Sequence, residues 1–187
     1  MNYYKALNKQ KFSNENFSIV PIRQDDLLDI MIWRNEQIDV LRQKKIITIS
    51  EQNIYYNTVL LPTLSEQFPN QIIFSYLKDN VLIGYGGLVH ISWEDRRSEM
   101  SFLINPEYVK NDAMYEQYFL KFISLLKEVN FCQLNFHKLF TETYSHRSFH
   151  ISILEKAGFE LEGVLKDHVL IENIYFNSLI HSIINNV

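Results

Sequence analysis

The sequence has a single cysteine, Cys132, among its 187 residues, which excludes an intrachain disulfide. It lies among Phe131, Leu134 and Phe136, a setting that predicts an inert, partly buried thiol. No apolar run approaches the ~20 residues a membrane-spanning helix needs, so no span is expected. The opening residues, Met1-Asn2-Tyr3-Tyr4-Lys5, lack the apolar stretch of a signal peptide, and the cytoplasm is the expected compartment. A basic excess is missing as well: the net charge is −4, whereas a nucleic-acid binder normally presents a basic face to phosphates. The one local basic cluster, Arg42, Lys44 and Lys45, reads more simply as a solvated turn. With no internal repeat, low-complexity tract or linker, residues 17–187 read as one domain and residues 1–16 as a polar arm or early edge piece. No metal site is expected.

What is present is the composition of an ordinary globular protein, 47% hydrophobic and 21% charged. Phe17 to Ile22 alternates as a strand, with Pro21 suggesting a sheet edge. Gln24-Asp25-Asp26 opens a helix ending in Trp33-Arg34-Asn35, and Thr48 with Glu51 marks the capping box of a second helix that Pro62 stops. Gln71 to Leu77 and Val81 to Ile91 form a hairpin about Lys78-Asp79-Asn80. Gly84, Gly86 and Gly87 inside its return strand mark a bulge or a close approach of backbones.

A buried strand, Ser98 to Ile104, then passes through a loop at 105–111 into a long helix reaching Val129. Such a strand-loop-helix unit aims N–H groups and the positive end of a helix dipole at an anion. A strand at 137–143, a helix from Arg147 to Ala157 capped by Gly158, and strands at 159–171 and 174–183 complete the chain. The order β-α-α-β-β-β-α-β-α-β-β predicts a mixed, mostly antiparallel α/β (α+β) sheet with helices on both faces.

Three stretches carry a resemblance. They are Leu82-Ile83-Gly84-Tyr85-Gly86-Gly87, then Glu99 to Tyr108, then Leu154-Glu155-Lys156-Ala157-Gly158-Phe159 followed by Glu162-Gly163-Val164-Leu165. In this order the chain resembles the GNAT superfamily of acyl-CoA-dependent N-acetyltransferases, in the RimJ- and RimL-like branch. The resemblance implies that acetyl-CoA lies where the strand at 98–104 splays from the strand at 137–143. Backbone amides of Phe102, Leu103 and Ile104 would hold the pantetheine. The loop Val109, Lys110, Asn111, Asp112, Ala113 and Met114, with Arg147, would hold the pyrophosphate.

That loop departs from the family, which usually carries Gln or Arg, two residues, Gly, one residue, then Gly or Ala. The corresponding places here hold Val109, Asp112 and Met114. Asp112 could be the helix N-cap, its carboxylate taking donors a pyrophosphate would use. The usual Asn-x-x-Ser pantetheine contact is replaced by Arg147 and His150.

Acetyl transfer needs a base for the ammonium, oxyanion donors and an acid for the thiolate. The sequence offers Glu99 as base, with a structural pair to Arg96 or Arg97 as the alternative. Backbone amides near Phe102 are the oxyanion donors, and Tyr144 or His146 the acid. Trp33, Arg34, Asn35 and Arg42, with Tyr85 and His90, form an acceptor-side group suited to a nucleotide, by stacking and bidentate phosphate contacts. The leading expectation is acetylation of a small-molecule primary amine, an amino sugar on a sugar nucleotide. A protein N-terminus as acceptor, or a GNAT-fold binding module without catalysis, are the alternatives, and a homodimer is compatible with either.

Overall fold

The structure, a computed structural model, describes residues 2–185. Eight strands form one sheet: β1 (Phe12–Asn14), β2 (Phe17–Pro21), β3 (Ile72–Lys78), β4 (Val81–Ser92), β5 (Arg97–Ile104), β6 (Lys138–Tyr144), β7 (Glu160–Ile171) and β8 (Ile174–Ile184). Their spatial order is β1-β2-β3-β4-β5-β6-β8-β7. Every pairing is antiparallel except β5 with β6, which is parallel. That one parallel junction requires a crossover, supplied by α4 (Pro106–Val109) and α5 (Asp112–Lys127). The expected mixed sheet, mostly antiparallel, is therefore present.

The two faces divide the helices. α5 turns Tyr115, Tyr118, Phe119, Phe122 and Leu126 onto the sheet, where they join Phe17, Phe74, Met100 and Ile104 in the main core. α6 (Ser148–Lys156) joins the same face through Ile153 and Leu154. On the other side α1 (Leu27–Glu36) and α2 (Ile49–Tyr55), the latter extended by a π segment into α3 (Leu61–Thr63), pack Leu27, Ile30, Tyr56 and Leu60 against Ile73. The β3–β4 and β7–β8 turns have consecutive positive-φ residues, Asp79 and Asn80, then Glu172 and Asn173, the type that matches strand twist. No helix among the described residues is long and apolar enough to cross a membrane.

Of the two readings of the first 16 residues the edge piece is present: β1 pairs with β2, and Tyr4, Leu7 and Phe12 are buried in the core. Three expectations change. Pro21 is not on an edge strand, but β1 stops at Phe12 opposite Ile19, so nothing asks its missing N–H to donate. Pro62 does not end its helix, which continues to Thr63 because the proline lies in the first turn of α3. Cys132 is exposed, since it lies in a π segment at the end of α5 with Val129 and Asn130 on the buried side.

Candidate active site

β5 and β6 pair only from Arg97–Lys138 to Glu99–Phe140. One residue further the Thr141 hydroxyl donates to the Met100 carbonyl at 3.3 Å, and beyond that the strands part. At the far end the Gln37 side-chain amide donates to the Ile104 carbonyl at 2.9 Å. A strand residue sends its N–H and C=O to the same side, so Met100, Phe102 and Ile104 address the gap. Residues of the opposite parity address β4, as the Asn105 N–H does in donating to the Ile83 carbonyl at 2.9 Å. Phe102 therefore presents main-chain groups to the splay. Leu103 does not, which corrects its expected role: its backbone is turned to β4, opposite Tyr85. Gly86 faces Phe102 because a Cβ there would meet the Ser101 carbonyl at 2.2 Å.

Inside the splay is a cavity of about 190 Å³ lined by Glu99, Glu142, Tyr144, Arg42 and Arg147 among others. Arg42 closes it from the segment between α1 and α2. One guanidinium nitrogen donates to Glu99 at 2.8 Å and to Glu142 at 2.5 Å. The Glu99 and Glu142 side chains are 9% and 12% exposed, against 51% for Arg42, so the carboxylates are fixed and the cation is reachable from solvent. The expected structural partners of Glu99, Arg96 and Arg97, are thus not its partner. Arg97 instead faces Asp95 at 3.4 Å.

A second guanidinium nitrogen lies 3.2 Å from His90 Nε2. Guanidinium can only donate, so in this contact His90 Nε2 is the acceptor. Burial works to raise the carboxyl pKa of Glu142, but the Ser178 hydroxyl and Arg42 overcome it and hold the group below its usual value. The Tyr144 phenol is pushed upward by burial and stays protonated, as an acid for a thiolate must.

Toward α5 and α6 the cleft opens into a cavity of about 350 Å³ lined by Gln37, Asp39, Val109, Asp112, His146 and Arg147 among others. Here the expectation for the loop is corrected. Asn111, not Asp112, caps α5, its side chain accepting from the Met114 N–H at 3.0 Å. Lys110 is spent on Glu107 at 2.5 Å, and Met114 packs on the core; neither they nor Asn111 and Ala113 line the cavity. Val109, Asp112 and Arg147 line it. Arg147 donates to the Tyr115 hydroxyl at 3.2 Å and lies 3.3 Å from His150 Nδ1. His150 is buried and stays neutral, because burial and then Arg147 both depress its pKa well below 6.5. His146 is also held below its usual value by burial, and its ring rests edge-on against Phe176 at 4.8 Å. Of the two expected acids, only Tyr144 lines the cavity with the carboxylates.

On the other side of Arg42 lies a cavity of about 400 Å³ under α1 and α2. Arg34, Arg42, Tyr85 and His90 converge on it, Arg34 donating to the Tyr85 hydroxyl at 2.5 Å and to Gln43 at 2.9 Å. Trp33 and Asn35 do not, contrary to expectation. Trp33 continues the buried stripe Leu27, Ile30 of α1. The Asn35 amide ties the following loop, bonding the Ile47 carbonyl at 2.8 Å and N–H at 3.0 Å. Gln52, Asn70 and Gln71 add neutral amides to the wall, and no carboxylate among the described residues lines it.

A family model for the acetyltransferase (GNAT) domain matches residues 19–180. The chain belongs to the GNAT acetyltransferase family. It is an acyl-CoA-dependent N-acetyltransferase, and acetyl-CoA is the co-substrate of this family. Among solved structures it is similar to spermidine N-acetyltransferase from Vibrio cholerae in complex with CoA and spermine. The TM-score is 0.78 at 19% identity, covering 91% of this chain and 96% of that one. A dodecameric structure of spermidine N-acetyltransferase from the same organism, in an intermediate state, gives a TM-score of 0.75 at 20% identity, covering 91% and 95%. These likenesses show the fold. No curated protein matches the chain.

Three groups were missed in the sequence: Glu142, Gln37 and Ser178. Glu142 carried the signal that singled out Glu99, a lone carboxylate in an otherwise uncharged strand interior, Leu139 to Tyr144. Gln37 and Ser178 carried none, because their parts depend on which strand edge and which neighbour the fold places beside them.

Proposed function

We propose that the protein moves the acetyl group of acetyl-CoA to a primary amine by direct attack in a ternary complex, and that the acceptor is a nucleotide-linked amino sugar. The observation that carries the acceptor class is the division of charge along the cleft. The carboxylates Glu99 and Glu142 stand at its centre, whereas the acceptor cavity holds Arg34, Arg42 and neutral amides with no carboxylate among the described residues. An acceptor with its amine at one end and phosphate or hydroxyls at the other suits this order; a polyamine, cationic along its length, does not. Tyr55, 42% exposed at the cavity, offers the stacking face that buried Trp33 cannot. The RimJ- and RimL-like affinity rests on the three stretches Leu82 to Gly87, Glu99 to Tyr108 and Leu154 to Leu165 taken together.

In this reading the acceptor ammonium replaces the Arg42 guanidinium between the carboxylates, and Glu99 takes a proton from the attacking nitrogen. The amine attacks the thioester carbonyl, whose oxygen gathers charge toward the Phe102 N–H. As the C–S bond breaks, the thiolate takes a proton, with Tyr144 as the donor. At the other end Arg147 and the first turn of α5 hold the phosphates.

Calorimetry with acetyl-CoA, followed by thiol release with amino-sugar nucleotides, free-N-terminal peptides and polyamines, tests this. Heat on acetyl-CoA addition and turnover with the amino-sugar nucleotides are expected. Absence of heat at millimolar acetyl-CoA would return the chain to a binding module. Turnover confined to peptides or polyamines would overturn the acceptor.

A further inference from the structure

Two histidines stand outside the two carboxylates, and both are placed by irregularities in their strands. The β4–β5 register shifts between Val89 and Ser92, and His90 between them has φ 48°. The β7–β8 register shifts between Leu165 and Val169, where Asp167 has φ 46° and its N–H is held by the Asn177 side chain at 2.9 Å. Bulges re-aim side chains, and this one turns His168 across β8 toward β6. His168 Nδ1 lies 2.9 Å from the buried Ser178 hydroxyl and 3.3 Å from Glu142 Oε1.

The two sides differ in what they can do with a proton. The His90 nitrogen nearest Glu99 is already occupied by Arg42 and lies 3.8 Å from the carboxylate, so Glu99 has no outlet through it. Glu142 has one: His168 Nδ1 lies 3.3 Å from its carboxylate and 2.9 Å from the Ser178 hydroxyl, and the His168 side chain is 46% exposed. The titratable and charged groups facing Glu142 are Arg42 from the α1–α2 segment, Glu99 from β5, Tyr144 from its own strand and His168 from β7, with His90 behind Arg42.

We infer that Glu142 is a second proton-accepting carboxylate of the acetyl transfer and that His168, positioned by Ser178, carries its proton to solvent. The inference rests on the proposed N-acetyltransferase reading. The acceptor R–NH3+ is held by both carboxylates and passes one proton to Glu142, leaving the free amine as nucleophile. His168 Nδ1 takes that proton from Glu142, and the imidazolium sheds one from Nε2 to water. After attack the nitrogen gives its second proton to Glu99, and as the C–S bond breaks the thiolate takes one from Tyr144, which the Glu99 proton restores. The sum is amide, thiol and one released proton. Ser178 and His168 are positioning and relay residues, because neither reaches the acceptor.

The test compares wild type, Glu142→Gln and His168→Gln in thiol release with a primary-amine acceptor across pH, with and without added imidazole. His168→Gln, on a part-exposed side chain, keeps the test independent of any folding defect in Glu142→Gln. About a 10-fold loss of kcat in His168→Gln with KM little changed, an altered basic limb and recovery by imidazole are expected, with a larger loss of about 10²-fold in Glu142→Gln. Unchanged kcat, or a loss that imidazole does not recover, overturns the relay.

If wild type transfers acetyl to no amine, the parent reading fails on its own. The link is then decided by the 15N NMR shifts of the His168 ring, which should change in Glu142→Gln because Nδ1 faces that carboxylate at 3.3 Å. Unchanged ring shifts would overturn the link whatever the turnover.

Discussion

Thr141 donates its hydroxyl to the Met100 carbonyl at 3.3 Å, immediately beyond the last backbone pair of β5 with β6. This side chain closes the apex of the splay and sets where the acyl cleft begins. Thr141→Val keeps the shape and removes the donor, leaving a main-chain acceptor unpaired. A loss of about 1 kcal/mol in chemical denaturation is expected, and an unchanged midpoint would show that the apex holds without it.

Gly86 stands where β4 and β5 approach closely, with the Ser101 carbonyl, Phe102 Cα and Phe122 ring all within 3 Å of where a Cβ would lie. Gly86→Ala must push β5 away. About 3 kcal/mol of destabilisation is expected, at the upper end of overpacking, with a raised KM for acetyl-CoA because the displaced backbone is that of Phe102. Wild-type stability and KM together would contradict the packing.

Glu99→Gln preserves size and hydrogen bonding but cannot take a proton. Turnover should fall by something like 10²-fold, the range of general acid–base catalysis, with acetyl-CoA affinity by calorimetry unaltered. An unchanged rate would remove Glu99 from the mechanism.

Arg42→Gln removes the cation between two carboxylates. Arg42 helps hold the Glu142 pKa down, so without it that pKa rises, and the neighbouring Glu99 charge raises it further. The acidic limb of the pH–rate profile should move to higher pH. A limb that stays in place would show that these carboxylates do not control the rate.

His150 and His181 are buried, and burial lowers the pKa of each from the usual 6.5. The unfolded chain therefore binds more protons than the folded one in the window below 6.5. The stability they contribute is complete above that value and is lost as pH falls toward the folded pKa values. Denaturation midpoints should drop between about pH 7.5 and about pH 5.5, and His150→Gln should flatten the slope in the same window. A slope equal to that of wild type would assign the dependence to other groups.

Much of the fold was legible because its signals are local. The capping box of Thr48 with Glu51 forms as expected, both turns fall where Asn and Asp tolerate positive φ, and the apolar face of α5 follows from its spacing. The candidate site was legible only where one residue's chemistry stood out from its surroundings. Glu99 did so, and it lies in the splay. Arg42, grouped with an acceptor-side tryptophan, instead stands between two strands far from it in sequence, paired with Glu99 and Glu142. Trp33 and Asn35 looked like binding groups because nothing local tells an aromatic or amide that faces a cavity from one that faces a core or a loop. The loop before α5 was misjudged by one residue, since Asn111 and Asp112 are both competent caps and the choice between them depends on where the preceding chain leaves β5.

The strand-loop-helix from Ser98 to Val129 was determined by sequence alone, through apolar spacing and side-chain caps that act over a few residues. Only the tertiary structure decided what that unit faces. Parting β5 from β6 after Phe140, placing Arg42 between Glu99 and Glu142, and turning His168 toward Ser178 each join segments separated along the chain. Such meetings are governed by strand order and register, which a local pattern of residues does not encode.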